Sequence, residues 1–208
     1  MPEKGTSSRP PRVLVTAFGP FDAWTENASW LCLVELTREL PPGADVTTRR
    51  YPVDYAEAKS LLSRDLEQHY DYAIHLGQAA GIATLHLEAV ALNVWSPPQA
   101  EHGSHEPLDP AGPLAHESNL PIDRWAVALP SVGVPATVSY HAGTYLCNAV
   151  LYWNRQMCTA HNWSTRSCLV HVPLAFEQAS QMKSESPLLS SSVAAAGLRW
   201  IIERLPEL

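Results

Sequence analysis

The sequence predicts an α/β fold around a largely parallel central sheet. Short apolar runs that suit buried strands alternate with longer segments that suit helices, and glycine- or proline-bearing turns separate them. No internal repeat breaks the alternation. A chain of 208 residues has the length to bury a sizeable core.

Val13 to Phe18, "VLVTAF", is an apolar run behind a polar tail and reads as a buried strand. "GPFDAWTEN" is a loop, and Asn27 is placed to cap a helix running to about Leu40. "ADVTTRRYPV" alternates, which predicts a strand over Val46 to Val53. Asp54 with Glu57 three positions later opens a helix to about His69. "YAIHLG", Tyr72 to Gly77, is another buried strand, and residues 84–94 read as extended. Trp95 to Pro121 is rich in Pro, Gly and His and shows little regular pattern; so long a loop in a compact domain serves function or moves. "IDRWAVAL" reads as a short helix and "ATVSY" as a strand. Gly143 and Thr144 read as a turn and an N-cap before a half-buried helix that begins at Tyr145 or Leu146 and reaches about Met157. "SCLVHV" is a strand, and Ser190 to Leu205 a closing helix.

Composition narrows the function classes. Hydrophobic residues make up 46% and charged residues 17%, as in ordinary globular chains. The net charge of −7 and the lack of a Lys/Arg cluster argue against nucleic acid as a partner. No run approaches the ~18 continuous apolar residues of a membrane span, so no membrane partner is expected. Four cysteines, Cys32, Cys147, Cys158 and Cys168, are too sparse and irregular for a disulfide scaffold. "MPEKGTSSRPPR" lacks the apolar core of a signal peptide. Residues 1–11 therefore read as a disordered tail and 12–208 as a single domain in a reducing cytoplasm.

In open α/β sheets chemistry gathers at the carboxyl ends of strands. That rule selects "FGPF", "GQAAG", "HAGTYLC" and "HVPL". Cys147 falls in the first turn of its helix, where unpaired N–H groups and the helix dipole favour an anion such as a thiolate; a small buried core thiol is the plain alternative. His171, in "CLVHVPL", and Glu88, in "LHLEAVALNV", are polar groups in apolar strands. Backbone partners for the histidine and edge exposure for the glutamate would explain both; so would an imidazole whose tautomer a carboxylate fixes. Phe18, Phe21 and Trp24 crowd one loop, either as lids on the core or as walls of a small apolar pocket. Cys158, His161, Cys168 and His171 have a C-x2-H…C-x2-H spacing that invites zinc. Against it, Cys168 and His171 are three apart on one strand and point to opposite faces. Neither a P-loop nor a G-x-S-x-G elbow is present.

From about Val13 to Gln178 the chain resembles the pyroglutamyl peptidase I (pyrrolidone carboxyl peptidase) family of cysteine peptidases. The resemblance rests on "VTAFGPFDAWTENASW", "HLGQAAG", "LEAVALN", "SYHAGTYLCN" and "VHVPLAFEQ", in order. It implies a three-layer α/β/α sandwich with a twisted, mostly parallel sheet. It also implies hydrolysis, without a cofactor or metal, of the amide after an N-terminal pyroglutamyl residue of peptides. By the same resemblance Cys147 is the nucleophile, His171 the base and then the acid, and Glu88 the group that orients His171. Phe18 and Phe21 wall the pocket, and polar groups near Asn27 and Gln78 meet the lactam. Family members often form homo-oligomers, though no patch here reads as an interface. The chain departs from the family at Ala89, where an Arg is common, and over "WSPPQAEH", Trp95 to His102. Those departures leave one rival, a lactam or pyroglutamyl-peptide binder without turnover; a second, a zinc-stabilised interaction module, rests on Cys158, His161, Cys168 and His171.

Overall fold

The computed structural model describes residues 9–96, 105–182 and 184–207. Along the chain run β1 (Arg12–Phe18), α1 (Ala28–Thr37), β2 (Asp45–Tyr51), α2 (Tyr55–Leu66), β3 (Tyr72–Gln78), β4 (Leu85–Glu88), β5 (Val90–Leu92) and β6 (Ala115–Glu117). They are followed by α3 (Ile122–Ala128), β7 (Ala136–Ser139), α4 (Leu146–His161), β8 (Arg166–Val172) and α5 (Ser191–Arg204). The central sheet has six strands in the order β2-β1-β3-β8-β4-β7, and β5 pairs with β6 beside it. Among its neighbouring strands only β4 and β8 are antiparallel.

Side-chain alternation along each strand feeds two cores. Val13, Val15 and Ala17 of β1 face the layer of α1, α3 and α5, packing with Leu33, Trp125 and Leu198. Phe18 of β1 and Leu169 of β8 face the layer of α2 and α4, packing with Leu62 and Val150. Each fully buried leucine contributes about 2 kcal/mol through apolar area removed from water. The expected α/β/α sandwich is the observed one.

Local signals set most element ends. The Asn27 side chain accepts from Ser29 N–H at the start of α1, and Asp54 accepts from Glu57 N–H at 2.8 Å at the start of α2. Helix α1 ends at Thr37, short of Leu40, because Pro41 disfavours helical backbone in the residue before it. Helix α2 stops at Leu66, and His69 beyond it is left-handed with φ 55°. Strand β2 stops at Tyr51 instead of Val53. Helix α4 passes the expected Met157 to His161, where Asn162 (φ 53°) reverses the backbone and Trp163 N–H closes on the Cys158 carbonyl at 2.9 Å. Inside the predicted loop Trp95–Pro121 lies β6, whose short "AHE" carries no periodic signal and forms only by pairing with β5. Of that loop, residues 97–104, and of the predicted tail, residues 1–8, lie outside the described residues. Arg9 makes a two-pronged ion pair with Asp71 at 2.8 and 2.9 Å just before β1.

The middle of the α2/α4 face is polar. His75 of β3 is fully buried, with Nδ1 2.8 Å from Thr16 Oγ1 and Nε2 accepting from Asn154 Nδ2 at 2.9 Å. The chain of bonds ties α4 to β3 two helical turns below Cys147. Burial holds the His75 imidazole down to about 3 from an ordinary 6.5. The unfolded chain takes up that proton as pH falls through 6.5 while the fold does not, so stability drops with pH below that value. The urea midpoint is expected to fall between about pH 7 and about pH 5, and His75→Gln, which cannot titrate, to flatten that fall.

Candidate active site

Three elements deliver the candidate reactive groups. Cys147 is the second residue of α4. The first α4 bond runs from Ala149 N–H to the Tyr145 carbonyl at 3.1 Å, so the amides of Leu146, Cys147 and Asn148 precede it. The N-cap is Tyr145, without a side-chain bond; the expected cap Thr144 instead accepts from Ser96 Oγ at 3.0 Å. Gly143 (φ 77°) permits the reversal before the helix. That reversal matters because β7 runs parallel to β4 and therefore against β8. Its carboxyl end is not at the edge shared by β1, β3 and β8, contrary to the strand-end rule, and the turn over residues 140–145 brings Cys147 back to that edge.

His171 and Glu88 meet across the antiparallel pair. His86 lies directly opposite His171, which places Glu88 diagonally from it on the same face. His171 Nδ1–H donates to Glu88 Oε1 at 2.7 Å, and Glu88 is 1% exposed in an interior strand, not at an edge. With Nδ1 so held, Nε2 is the nitrogen left for chemistry. A methyl group built on Gly77 of β3 would lie 2.6 Å from Cys147 Sγ and 3.1 Å from His171 Nε2, so sulfur and imidazole converge over this one glycine. Burial alone would push His171 down; hydrogen bonds to Cys147 and Glu88, with their charges, outweigh it and raise the imidazole from 6.5 to about 10.

A cavity of about 120 Å³ opens beside the sulfur, lined chiefly by Phe18, Phe21, Asn27, Gln78, Cys147 and His171. Phe18 is its buried wall and Phe21, half exposed, its outer one. Trp24 does not line it; that ring borders a separate surface groove. Asn27 is already engaged, accepting from Ser29 and donating to the Gly19 carbonyl at 3.0 Å, so it shapes the wall. Gln78 Oε1 accepts from Ala28 N–H at 2.7 Å and from Gln178 Nε2 at 2.8 Å. Its own amide N–H donors make no bond among the described residues.

The zinc grouping is not assembled. Cys158 belongs to the α2/α4 core and Cys168 to the opposite one, while His161 stacks on Trp163 with ring centroids 4.6 Å apart. Among the described residues no three His, Cys, Asp or Glu side chains form a group that could hold a metal ion. Ala89 packs against the α1/α5 core, so the residue after Glu88 points away from the imidazole.

The family model described as Pyroglutamyl peptidase matches residues 11–207. The chain belongs to the pyroglutamyl peptidase family. Over 198 residues it is 36% identical to the pyrrolidone-carboxylate peptidase 1 of Ralstonia nicotianae, covering 93% of this chain and 92% of that one. The crystal structure of the pyrrolidone carboxyl peptidase of Fervidobacterium islandicum aligns with TM-score 0.88 at 28% identity, covering 95% and 99% of the two chains. Pyroglutamyl peptidase I of Bacillus amyloliquefaciens aligns with TM-score 0.84 at 27% identity, covering 95% and 98%.

Two parts of this family member's site escaped sequence reasoning. Gln178 is fully buried and holds Gln78, the Glu26 carbonyl and Ala175 N–H together; its signal is a glutamine in the apolar context "VPLAFEQ". Gly77 reads only as a strand end, and its steric role emerges once Cys147 and His171 are placed. Gly77→Ala is expected to drive sulfur and ring apart and lower kcat by about 10²-fold, since displacements near 1 Å at a reacting pair cost that much. Circular dichroism and turnover measured together check it.

Proposed function

We propose that the protein is a cysteine peptidase that removes an N-terminal pyroglutamyl residue from peptides, with Cys147, His171 and Glu88 as its catalytic groups. One observation carries this reading: sulfur and imidazole converge over Gly77 at the wall of an apolar cavity sized for a five-membered lactam. His171 takes the Cys147 proton, and Sγ attacks the pyroglutamyl carbonyl. The tetrahedral oxygen meets amides at the start of α4. Nε2–H then protonates the departing amine, and water, deprotonated by the same nitrogen, releases pyroglutamate. Glu88 fixes the ring and supports its charge throughout.

The pyroglutamyl group has no free amine, so its pocket needs no carboxylate; Phe18 and Phe21 enclose the ring and the free Gln78 N–H meets the lactam oxygen. Residues 12–208 act as one catalytic domain in this reading, and a reducing, cytoplasmic setting suits four cysteines that are all unpaired. A fluorogenic pyroglutamyl amide is expected to be cleaved and the matching glutaminyl amide, with its charged amine, to resist. Binding of the pyroglutamyl amide without release would replace the peptidase with a binder.

A further inference from the structure

The lactam cavity does not end at Phe21. A wider groove of about 740 Å³ continues from it, sharing Phe21, Val53, Tyr145 and Leu146 as walls and adding Tyr55 and Trp95. Phe21, Val53 and Tyr145 are 48%, 38% and 58% exposed, so three large apolar side chains stand open to water around this one groove. Apolar side chains that cluster in the open mark a contact surface, where scattered ones do not. Trp95 is held in place from three directions. Its ring centroid lies 4.7 Å from that of Tyr55, and its backbone pairs both ways with Glu106 at 2.9 and 3.1 Å. The next residue, Ser96, donates its N–H to the Thr144 carbonyl at 3.0 Å, in the turn that brings Cys147 to the site. Indole and sulfur are thus fixed to neighbouring backbone. Trp95 also opens the stretch in which the chain departs from its family, so this wall belongs to the diverged part of the sequence.

We propose, resting on the peptidase reading above, that this groove receives the side chain of the residue that follows pyroglutamate and selects peptides with a large apolar or aromatic residue there. Tyr145 and Leu146 immediately precede Cys147 and wall both spaces. A peptide whose scissile carbonyl lies on Sγ has its lactam in the smaller cavity, and its next side chain, a few bonds beyond the scissile nitrogen, reaches the groove. Trp95 and Tyr55 give an aromatic ring there partners of its own kind. Charge sets a second preference. Asp22 and Asp54 are exposed on the groove wall, and no Lys, Arg or His is among the described residues that line it. An acidic residue after pyroglutamate meets two like charges with no basic group to offset them, and is disfavoured.

The test is the kcat/KM ratio of pyroglutamyl-phenylalanine amide to pyroglutamyl-alanine amide, because a ratio cancels any general loss of activity. In the wild type it is expected to be about tenfold, the lower end of what an apolar pocket extracts from a larger side chain. Trp95→Ala is expected to bring it down to about twofold. Trp24→Ala, which alters the separate groove, is expected to leave it at about tenfold. Asp22→Asn reads the charge without disturbing the fold, since asparagine tolerates the left-handed backbone of that position (φ 55°). It is expected to raise the ratio of pyroglutamyl-glutamate amide to pyroglutamyl-glutamine amide about threefold. Cys147→Ser carries the phenylalanine-to-alanine comparison as a ratio of Kd values and needs no turnover. A wild type that releases nothing therefore condemns the peptidase reading, while the Kd ratio still decides this one. A phenylalanine-to-alanine ratio near one overturns the proposal, as does a preference that survives Trp95→Ala or that disappears with Trp24→Ala instead. A glutamate-to-glutamine ratio that Asp22→Asn leaves unmoved also overturns it, since the side chain would then lie elsewhere.

Discussion

Cys147→Ser is expected to lower release from a pyroglutamyl amide by at least about 10³-fold while the protein melts at the wild-type temperature. The hydroxyl is a poor nucleophile at its own pKa, and a site arranged for sulfur does not place the shorter serine side chain for attack. Folding should be indifferent. Cys147 sits in the first turn of α4, only partly buried at the cavity wall, and the helix is anchored lower down. There Asn154 bonds His75, and beside Cys147 itself Asn148 accepts from Leu92 N–H at 2.8 Å. Turnover and a thermal melt on one preparation separate loss of chemistry from loss of fold. Unchanged turnover would retire the nucleophile assignment.

His171→Ala is expected to be nearly as damaging, because in the proposed mechanism one imidazole serves as base, charge partner and acid. It also strands Glu88, whose second oxygen, Oε2, is already without a partner among the described residues. Some stability should go with the activity, since an unpaired buried carboxylate costs several kcal/mol unless it takes up a proton. Glu88→Gln separates these effects. An amide oxygen still accepts from Nδ1–H, so the ring stays in place and the loss should be about 10- to 10²-fold. The alkaline limb of the pH–rate profile should also move. Glu88 is among the groups that raise the imidazole to about 10, so without its charge Nε2–H is lost at lower pH and activity falls off earlier on the alkaline side. The sign for stability is the same: the contribution of protonated His171 is complete below 6.5 and fades as pH rises toward about 10.

Much of this site was legible in single residues out of place. Histidine and glutamate in apolar strands need partners, and each turned out to be the other's. Cysteine at a helix start is a chemical position whatever the fold, and the expected first-turn placement is observed. Periodicity could not give strand direction. An antiparallel β4 looks like a parallel one in sequence, yet it is what sets Glu88 diagonally across from His171. Strand β6 was invisible because three residues without a periodic pattern form a strand only when a partner is present. Gly77 was silent for another reason. The importance of a missing side chain is defined only by what the fold brings against it.

The central claim is that a thiolate at the mouth of α4, served by His171, cleaves the amide beside a neutral lactam held between Phe18 and Phe21. The most direct measurement is stoichiometric iodoacetamide labelling near neutral pH, with and without 2-pyrrolidone, followed by peptide mapping and assay. One label on Cys147, loss of pyroglutamate release in proportion, and protection by the lactam are predicted. Full release from protein labelled at Cys147, or activity lost through labels on Cys32, Cys158 or Cys168 alone, would contradict it.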